Sequence, residues 1–158
     1  MVRVLGQDHP HTLTARGHLA RWRGEAGDAA GAATAFAELL ADCERVLGPD
    51  HPRTLRARGS VAWWRGEAGD AAGAATAFAE LLEHTLRVLG PDHPQTLIAR
   101  NNLAWWRGEA GDAVGAATAT AEVLEHMVRV LGPDHPHTLA VRSNLAHWQE
   151  KAKEAGVY

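Results

Sequence analysis

Apolar positions along the chain recur at three- and four-residue intervals in two alternating kinds of stretch. In one, Ala99, Leu103, Trp106 and Ala110 fall at i, i+4, i+7 and i+11, a single stripe of an α-helix. In the other, Ala32, Phe36, Leu39, Leu40, Cys43, Val46 and Leu47 form one apolar face over Asp28 to Leu47. Glycine and proline separate the two. In Val88-Leu89-Gly90-Pro91-Asp92-His93-Pro94, Gly and Pro follow one helix and a second Pro opens the next, with Asp92 or His93 as its N-cap. The pattern predicts a helix A from about Pro94 to Glu109, roughly 24 Å long at 1.5 Å per residue. Ala110-Gly111-Asp112 is then a turn in which Gly111 is free to take a left-handed conformation and Asp112 caps a helix B.

The whole pattern repeats every 42 residues, as Val4, Val46, Val88 and Val130 mark. Repeats fall at 4–45, 46–87 and 88–129, with a partial fourth at 130–148 and a polar run at 149–158. Successive full copies differ at only 10 of 42 positions, so they arose by duplication or were kept uniform. A period of this length predicts an all-α solenoid of antiparallel helix pairs, read as one domain over 1–158. Gly31, Gly73 and Gly115 stand inside helix B, where each costs about 1 kcal/mol relative to alanine. The expected compensation is a socket, with Gly-Ala-Ala leaving room for a helix A tryptophan.

Composition narrows the function classes. A length of 158 residues with 46% hydrophobic content suits one well-buried domain. The net charge is −3 with both signs interspersed, which leaves no basic face for nucleic acid or anionic membrane. No run reaches the roughly 18 apolar residues of a membrane span, and Met1 to Gly6 lacks a signal-peptide core, so the expected address is cytoplasmic. Cys43 is the single cysteine, and Thr85 and Met127 replace it in later copies, which marks a packing position. Both lysines, Lys151 and Lys153, lie in the polar run, while 14 arginines serve the rest of the chain.

Several periodic residue sets resemble chemistry but read as structure. Trp22, Trp64, Trp106 and Trp148 hold one position in all four copies and are expected as core anchors. Arg23, Arg65 and Arg107 follow three of them, but adjacent helix positions lie about 100° apart, so these arginines point off the stripe and do not form a base-stacking site. Asp8-His9, Asp50-His51, Asp92-His93 and Asp134-His135 form a ladder whose rungs are spaced by about 10 Å. A zinc ion needs its ligands within about 2.3 Å, so the ladder is read as capping, and no metal or other cofactor is expected. Arg16, Arg58, Arg100 and Arg142 are expected to pair with Glu38, Glu80 and Glu122 on the solvated side. No nucleophile, phosphate loop or carboxylate couple stands outside the repeat, so the chain is read as non-enzymatic with no catalytic residues.

The candidate site is the part of the pattern that varies. One position before the invariant tryptophan stand Arg21, Trp63, Trp105 and His147. Three and four positions further back stand Gly17/His18, Gly59/Ser60, Asn101/Asn102 and Ser143/Asn144. These share one face of helix A by i, i+3, i+4 spacing, and variation within a fixed scaffold is where a solenoid reads a ligand. The expected binding set is Arg21, Trp63, Trp105, His147, His18, Ser60, Asn101, Asn102 and Asn144, with Trp63 and Trp105 as exposed aromatic anchors.

Leu103-Ala104, Gly111-Asp112, Ala116, Phe36 and Phe78 fall where tetratricopeptide repeats place their small, turn and aromatic residues. Leu89 to Pro94 and Thr96 to Ala104, at a 42-residue spacing, resemble the kinesin-light-chain type of that family, in the Ala-, Arg- and Gly-rich form of high-GC bacteria. The resemblance covers about Val4 to Ala146. It implies a right-handed superhelix of helix pairs whose A helices line a concave groove for a peptide or protein partner. It also implies that paired asparagines contact the bound backbone; Asn101 and Asn102 keep that pair, and Asn144 keeps one member. Arg23, Arg65, Arg107 and Gln149 replace the tyrosine usual after the tryptophan, so local packing is expected to differ.

Met1-Val2-Arg3 reproduces Met127-Val128-Arg129, so the sequence starts within a repeat pattern, as a segment of a longer array or where an upstream repeat was lost, and no dedicated N-terminal cap is expected over the first hairpin. Two functions follow from the residues: a scaffold binding a peptide on the A-helix face, or a self-assembling array stacked head to tail, as a fragment of a larger signalling or regulatory protein. The polar run Gln149 to Glu154 is expected to act as a solvating cap. Deleting 149–158 should then raise self-association in sedimentation velocity; unchanged monomer behaviour would refute the capping role.

Overall fold

A computed structural model gives the fold, and the structure describes residues 6–156. Val4 and the Met1-Val2-Arg3 segment, with its likeness to the end of a helix B, lie outside the described residues. Among the described residues seven helices follow one another: α1 (Pro10–Glu25), α2 (Ala29–Leu47), α3 (Pro52–Glu67), α4 (Ala71–Leu89), α5 (Pro94–Glu109), α6 (Ala113–Leu131) and α7 (Pro136–Glu154). The odd-numbered helices are A helices and the even-numbered ones B helices. The chain has the all-α helical-repeat fold of the solenoid class. It forms two compact units, Met1–Asp70 with α1 to α3 and Ala71–Tyr158 with α4 to α7.

Each helix junction rests on local chemistry. The N-cap of an A helix is the histidine: His93 Nδ1 accepts from the Gln95 amide at 3.1 Å, and His51 accepts from Arg53 at the same distance. Since Nδ1 accepts, the neutral ring carries its proton on Nε2. Proline follows at the first helical position, where no amide is needed. Thr54, fully buried, donates its hydroxyl to the Gly48 carbonyl at 2.8 Å and ties the start of α3 to the end of α2. Within a repeat, Gly111 turns the chain with φ of +113°, and Asp112 then caps α6 by accepting from the Gly115 amide at 2.8 Å.

That cap changes the reason for the helix B glycine. A Cβ at Gly115 would collide with the Asp112 carboxylate, and one at Gly31 would collide with Asp28 and the Arg23 guanidinium. Glycine is required there by the capping carboxylate, not by a tryptophan. The tryptophan socket lies elsewhere. A Cβ at Gly24 would run into the Trp64 ring, and one at Gly108 into the Trp148 ring. Ala116 and Ala117 complete the pocket around Trp148, so only the alanines of the expected Gly-Ala-Ala socket take part.

In the first unit, Leu13, Ala20, Phe36, Leu39 and Cys43 form the core, with Val61 and Trp64 packed against it. In the second, Leu97, Val123, Met127 and Val141 form one cluster and Ala116, Ala117 and Trp148 another. Trp106 and Trp148 are 4% and 2% exposed, as core anchors should be, and Trp64 is half-buried. Trp22 departs from the expectation: it is 61% exposed, because Trp64 and Trp148 take their sockets from the A helix of the preceding repeat and none of the described residues supplies one for Trp22. In α7, Glu150 replaces the socket glycine and Lys153 the turn glycine, so the helix runs on to Glu154, three residues longer than the other A helices.

Removing the His93 cap by His93→Ala should lower unfolding free energy by about 1 kcal/mol, and His93→Asp should restore most of it. Urea denaturation of the two variants tests the assignment. An alanine variant as stable as the parent would refute it.

Candidate functional site

In the first unit the variable face of α1 and α3 opens a cavity of about 480 Å³ above α2. Phe36, Leu39 and Cys43 form its floor. Thr14, Gly17, His18 and Arg21 line it from α1, and Arg53, Arg56, Ala57 and Ser60 from α3. The space exists because Gly17 has no side chain; a Cβ there would touch Leu39 at an ordinary 3.5 Å. Three of the expected site residues, His18, Arg21 and Ser60, therefore meet at one cavity.

The rim is positively charged. Arg21 Nε holds Glu25 at 2.8 Å, and Arg53 Nη1 donates to the Pro10 carbonyl at 3.0 Å across the end of the cavity. Arg56 is exposed and enters no ion pair among the described residues. Ser60 donates back to the Arg56 carbonyl at 3.2 Å, which holds its hydroxyl on its own helix. Burial pushes the Cys43 thiol above its ordinary range, so the floor carries an unreactive sulfur and no thiolate. Trp63 is half-buried and does not line the cavity.

In the second unit, α5 and α7 bring the remaining candidates together. Asn144 Nδ2 donates to Asn101 Oδ1 at 3.4 Å. The Trp105 ring stacks on His147 at 5.2 Å between centroids and 25° between planes, and meets Trp148 edge-on at 5.1 Å. Trp105 is thus half-buried at the margin of the Ala116/Ala117/Trp148 cluster, with His147 exposed on its outer side. The exposed anchors expected at Trp63 and Trp105 are corrected on this point: both are partly covered. A rotation of about 100° from the core stripe does not clear a ring that large from the neighbouring helix. Asn102 is half-buried on the same helix.

Charged groups outside the site serve the scaffold. Arg23 holds the helix B cap Asp28 at 2.5 Å, Arg107 holds the cap Asp112 at 2.8 Å, and Arg65 holds Asp70 at 2.5 Å. Arg16 and Arg58 pair with Asp42 at 2.6 Å and Glu44 at 2.7 Å, while Arg100 faces His126 Nδ1 at 3.4 Å. Glu38, Glu80 and Glu122, the expected partners, take part in no ion pair among the described residues: Arg16 reaches the next turn of α2 at Asp42, and Arg58 reaches Glu44 on the same helix. Arg100 cannot accept a hydrogen bond, so His126 Nδ1 is the acceptor and Nε2–H donates to Asp92 at 2.5 Å. Among the described residues no three His, Cys, Asp or Glu side chains are grouped to hold a metal ion. No helix among them is long and apolar enough to cross a membrane.

The variable face was legible as positions, but the cavity floor and the arginines of the first turn were missed. A signal for the latter existed. His11/Arg53/Gln95/His137 and Thr14/Arg56/Ile98/Ala140 also change from copy to copy and extend the same face by one turn.

A tetratricopeptide repeat profile matches residues 12–53 and 96–137, more than half of the chain. The chain belongs to the tetratricopeptide repeat family. Two crystal structures of a Podosopora anserina protein described as a kinesin light chain with nearly identical TPR-like repeats, one a variant form, superimpose with TM-scores of 0.72 and 0.69. Each is 22% identical over 96% of this chain and 72% of its own. BtubC (BKLC) from P. vanneervenii matches at TM-score 0.74 and 18% identity, over 99% of this chain and 60% of that protein. At these identities the likeness is one of fold. No curated protein sequence matches the chain. Repeats of this family are in general protein-interaction or scaffold modules and are typically non-catalytic.

The ion pairs of the first unit make its stability acid-sensitive. Hydrogen bonds from Arg16 and Arg45 hold the Asp42 carboxyl below its ordinary range, one from Arg45 does so for Asp8, and the Gly31 amide and then Arg23 do so for Asp28. The unfolded chain, with ordinary pKa values, takes up protons first on acidification. The contribution is complete above about pH 4 and is lost as pH falls below it. Asp42→Asn should flatten the decline in urea midpoint between pH 5 and pH 3; an unchanged slope would contradict this origin.

Proposed function

We propose that the chain is a non-enzymatic interaction module that binds a peptide or protein segment on the variable face of its A helices. The cavity over Phe36, Leu39 and Cys43 carries this reading, since its lining combines an apolar floor with residues that differ from copy to copy. The floor suits one apolar side chain. Arg56, with Arg53 beside it, suits a carboxylate near that side chain. His18, Arg21 and Ser60 set the remaining contacts in this unit. In the second unit Asn101, Asn102 and Asn144 offer amides to a partner backbone, and the Trp105–His147 stack offers a flat apolar surface.

Peptides selected from a random library on the intact chain provide the test. Gly17→Leu fills the cavity from a half-buried helix position and should weaken their binding at least about tenfold, roughly the 1.4 kcal/mol expected for loss of one buried contact. Arg56→Glu should act selectively on peptides that carry acidic residues. Circular dichroism and thermal melting establish that both variants are folded. Undiminished binding by a folded Gly17→Leu variant would remove the cavity from the site.

A further inference from the structure

The variable faces of the A helices stand over different floors in the two units. Phe36 belongs to the continuous core of the first unit and floors its cavity, and a Cβ at Gly17 would come within 4.0 Å of the Phe36 ring. The second unit carries Thr120 in place of Phe36 and Asn101 in place of Gly17. The exchange divides the core. Along α6, Ala116 and Ala117 cluster with Trp148, Val123 and Met127 cluster with Leu97 and Val141, and Thr120 comes between the two groups. Thr120 is 1% exposed, and its hydroxyl has no hydrogen-bond partner among the described residues.

A helix offers a threonine a partner of its own. Thr34, Thr76 and Thr118 each donate to the carbonyl four residues back at 3.1 Å. Thr120 makes no such bond, although one would offset the cost of burying its hydroxyl. Above it, by the equivalence of the copies, stand the Asn101 and Asn144 amides, joined by a long 3.4 Å hydrogen bond. The rim changes together with the floor. Trp105, His137 and Ala140 replace Arg21, Arg53 and Arg56 of the first-unit cavity, and the His137 ring lies stacked on His135. A carboxylate finds no arginine at this rim, and an apolar side chain would leave the hydroxyl unpaired. We infer that Thr120, with Asn101 and Asn144 above it, forms a subsite for an uncharged hydrogen-bonding side chain of the partner segment. A carboxamide matches it well: its oxygen accepts from the Thr120 hydroxyl, and its NH2 group and the two asparagine amides exchange the remaining bonds. The inference rests on the peptide-binding reading of the variable face and adds which side chain the second unit selects.

Alanine scanning of peptides selected on the intact chain picks out those in which one Asn, Gln, Ser or Thr side chain contributes to binding. Against these, Thr120→Val should weaken binding about tenfold. The same substitution should raise the urea midpoint of the free chain, because it removes an unpaired buried hydroxyl at nearly constant shape. Thr120→Ser, which keeps the hydroxyl, should retain the preference. Changing the peptide side chain to an apolar one of similar size, Asn to Leu or Thr to Val, should cost about tenfold on the parent and little on Thr120→Val. Equal losses on both backgrounds would place the side chain elsewhere and overturn the subsite. So would a selection in which no uncharged polar side chain contributes. Peptides weakened by Gly17→Leu but not by Thr120→Val overturn the subsite alone, whereas peptides indifferent to both overturn the groove reading with it.

Discussion

A tryptophan can enter a helix interface only where the facing helix lacks a side chain. Trp148 meets that requirement at Gly108, with Ala116 and Ala117 beside it, and Trp64 meets it at Gly24. Glycine inside a helix is unfavourable by about 1 kcal/mol, whereas loss of a buried tryptophan side chain costs about 3–5 kcal/mol, so the exchange favours the pairing. The alanine-rich composition follows from the same constraint, because larger residues in the first turns of helix B would close the pocket. Where the constraint is absent the chain departs from its pattern. Trp22 has no socket among the described residues and is exposed, and Glu150 stands where nothing described needs a gap.

Once the tryptophan stripe and the junctions are fixed, one face of each A helix is left without structural duty. Histidine caps, buried threonines and Asp–Arg pairs at the turns hold the helix ends. The positions of Thr14, Gly17, His18 and Arg21 and their copies are not needed for any of this and can differ between repeats. In the first unit they leave a cavity because Gly17 is small; in the second, Asn101 fills the equivalent place and bonds to Asn144. The scaffold and the candidate site are thus separated by face on a single helix.

Helix limits were legible because they rest on neighbours in sequence: the reading of helix A from Pro94 to Glu109 matches α5, and Asp112 caps α6. The family was legible from the period and from the residues at the turns. What failed depends on which helix lies opposite. Gly115 was assigned to the tryptophan, although its own capping Asp112 accounts for it, while Gly108 carries the role across an interface that sequence spacing does not reveal. Arg16 and Arg58 were matched to glutamates by periodicity, but Asp42 and Glu44 lie within reach. The cavity could not be read at all, since a floor of Phe36, Leu39 and Cys43 becomes a floor only when α1 and α3 stand apart above it.

A double-mutant cycle on Gly108 and Trp148, followed by urea denaturation, tests the packing constraint most directly. Helix propensity alone makes Gly108→Ala stabilising by about 1 kcal/mol. Trp148 is 2% exposed and held by Ala116 and Ala117, so its ring cannot yield to the new methyl group. Gly108→Ala should therefore destabilise the parent by about 1–3 kcal/mol and become neutral or stabilising once Trp148→Leu has removed the ring. Equal stabilisation by Gly108→Ala in both backgrounds would contradict the central role of the tryptophan–glycine contact.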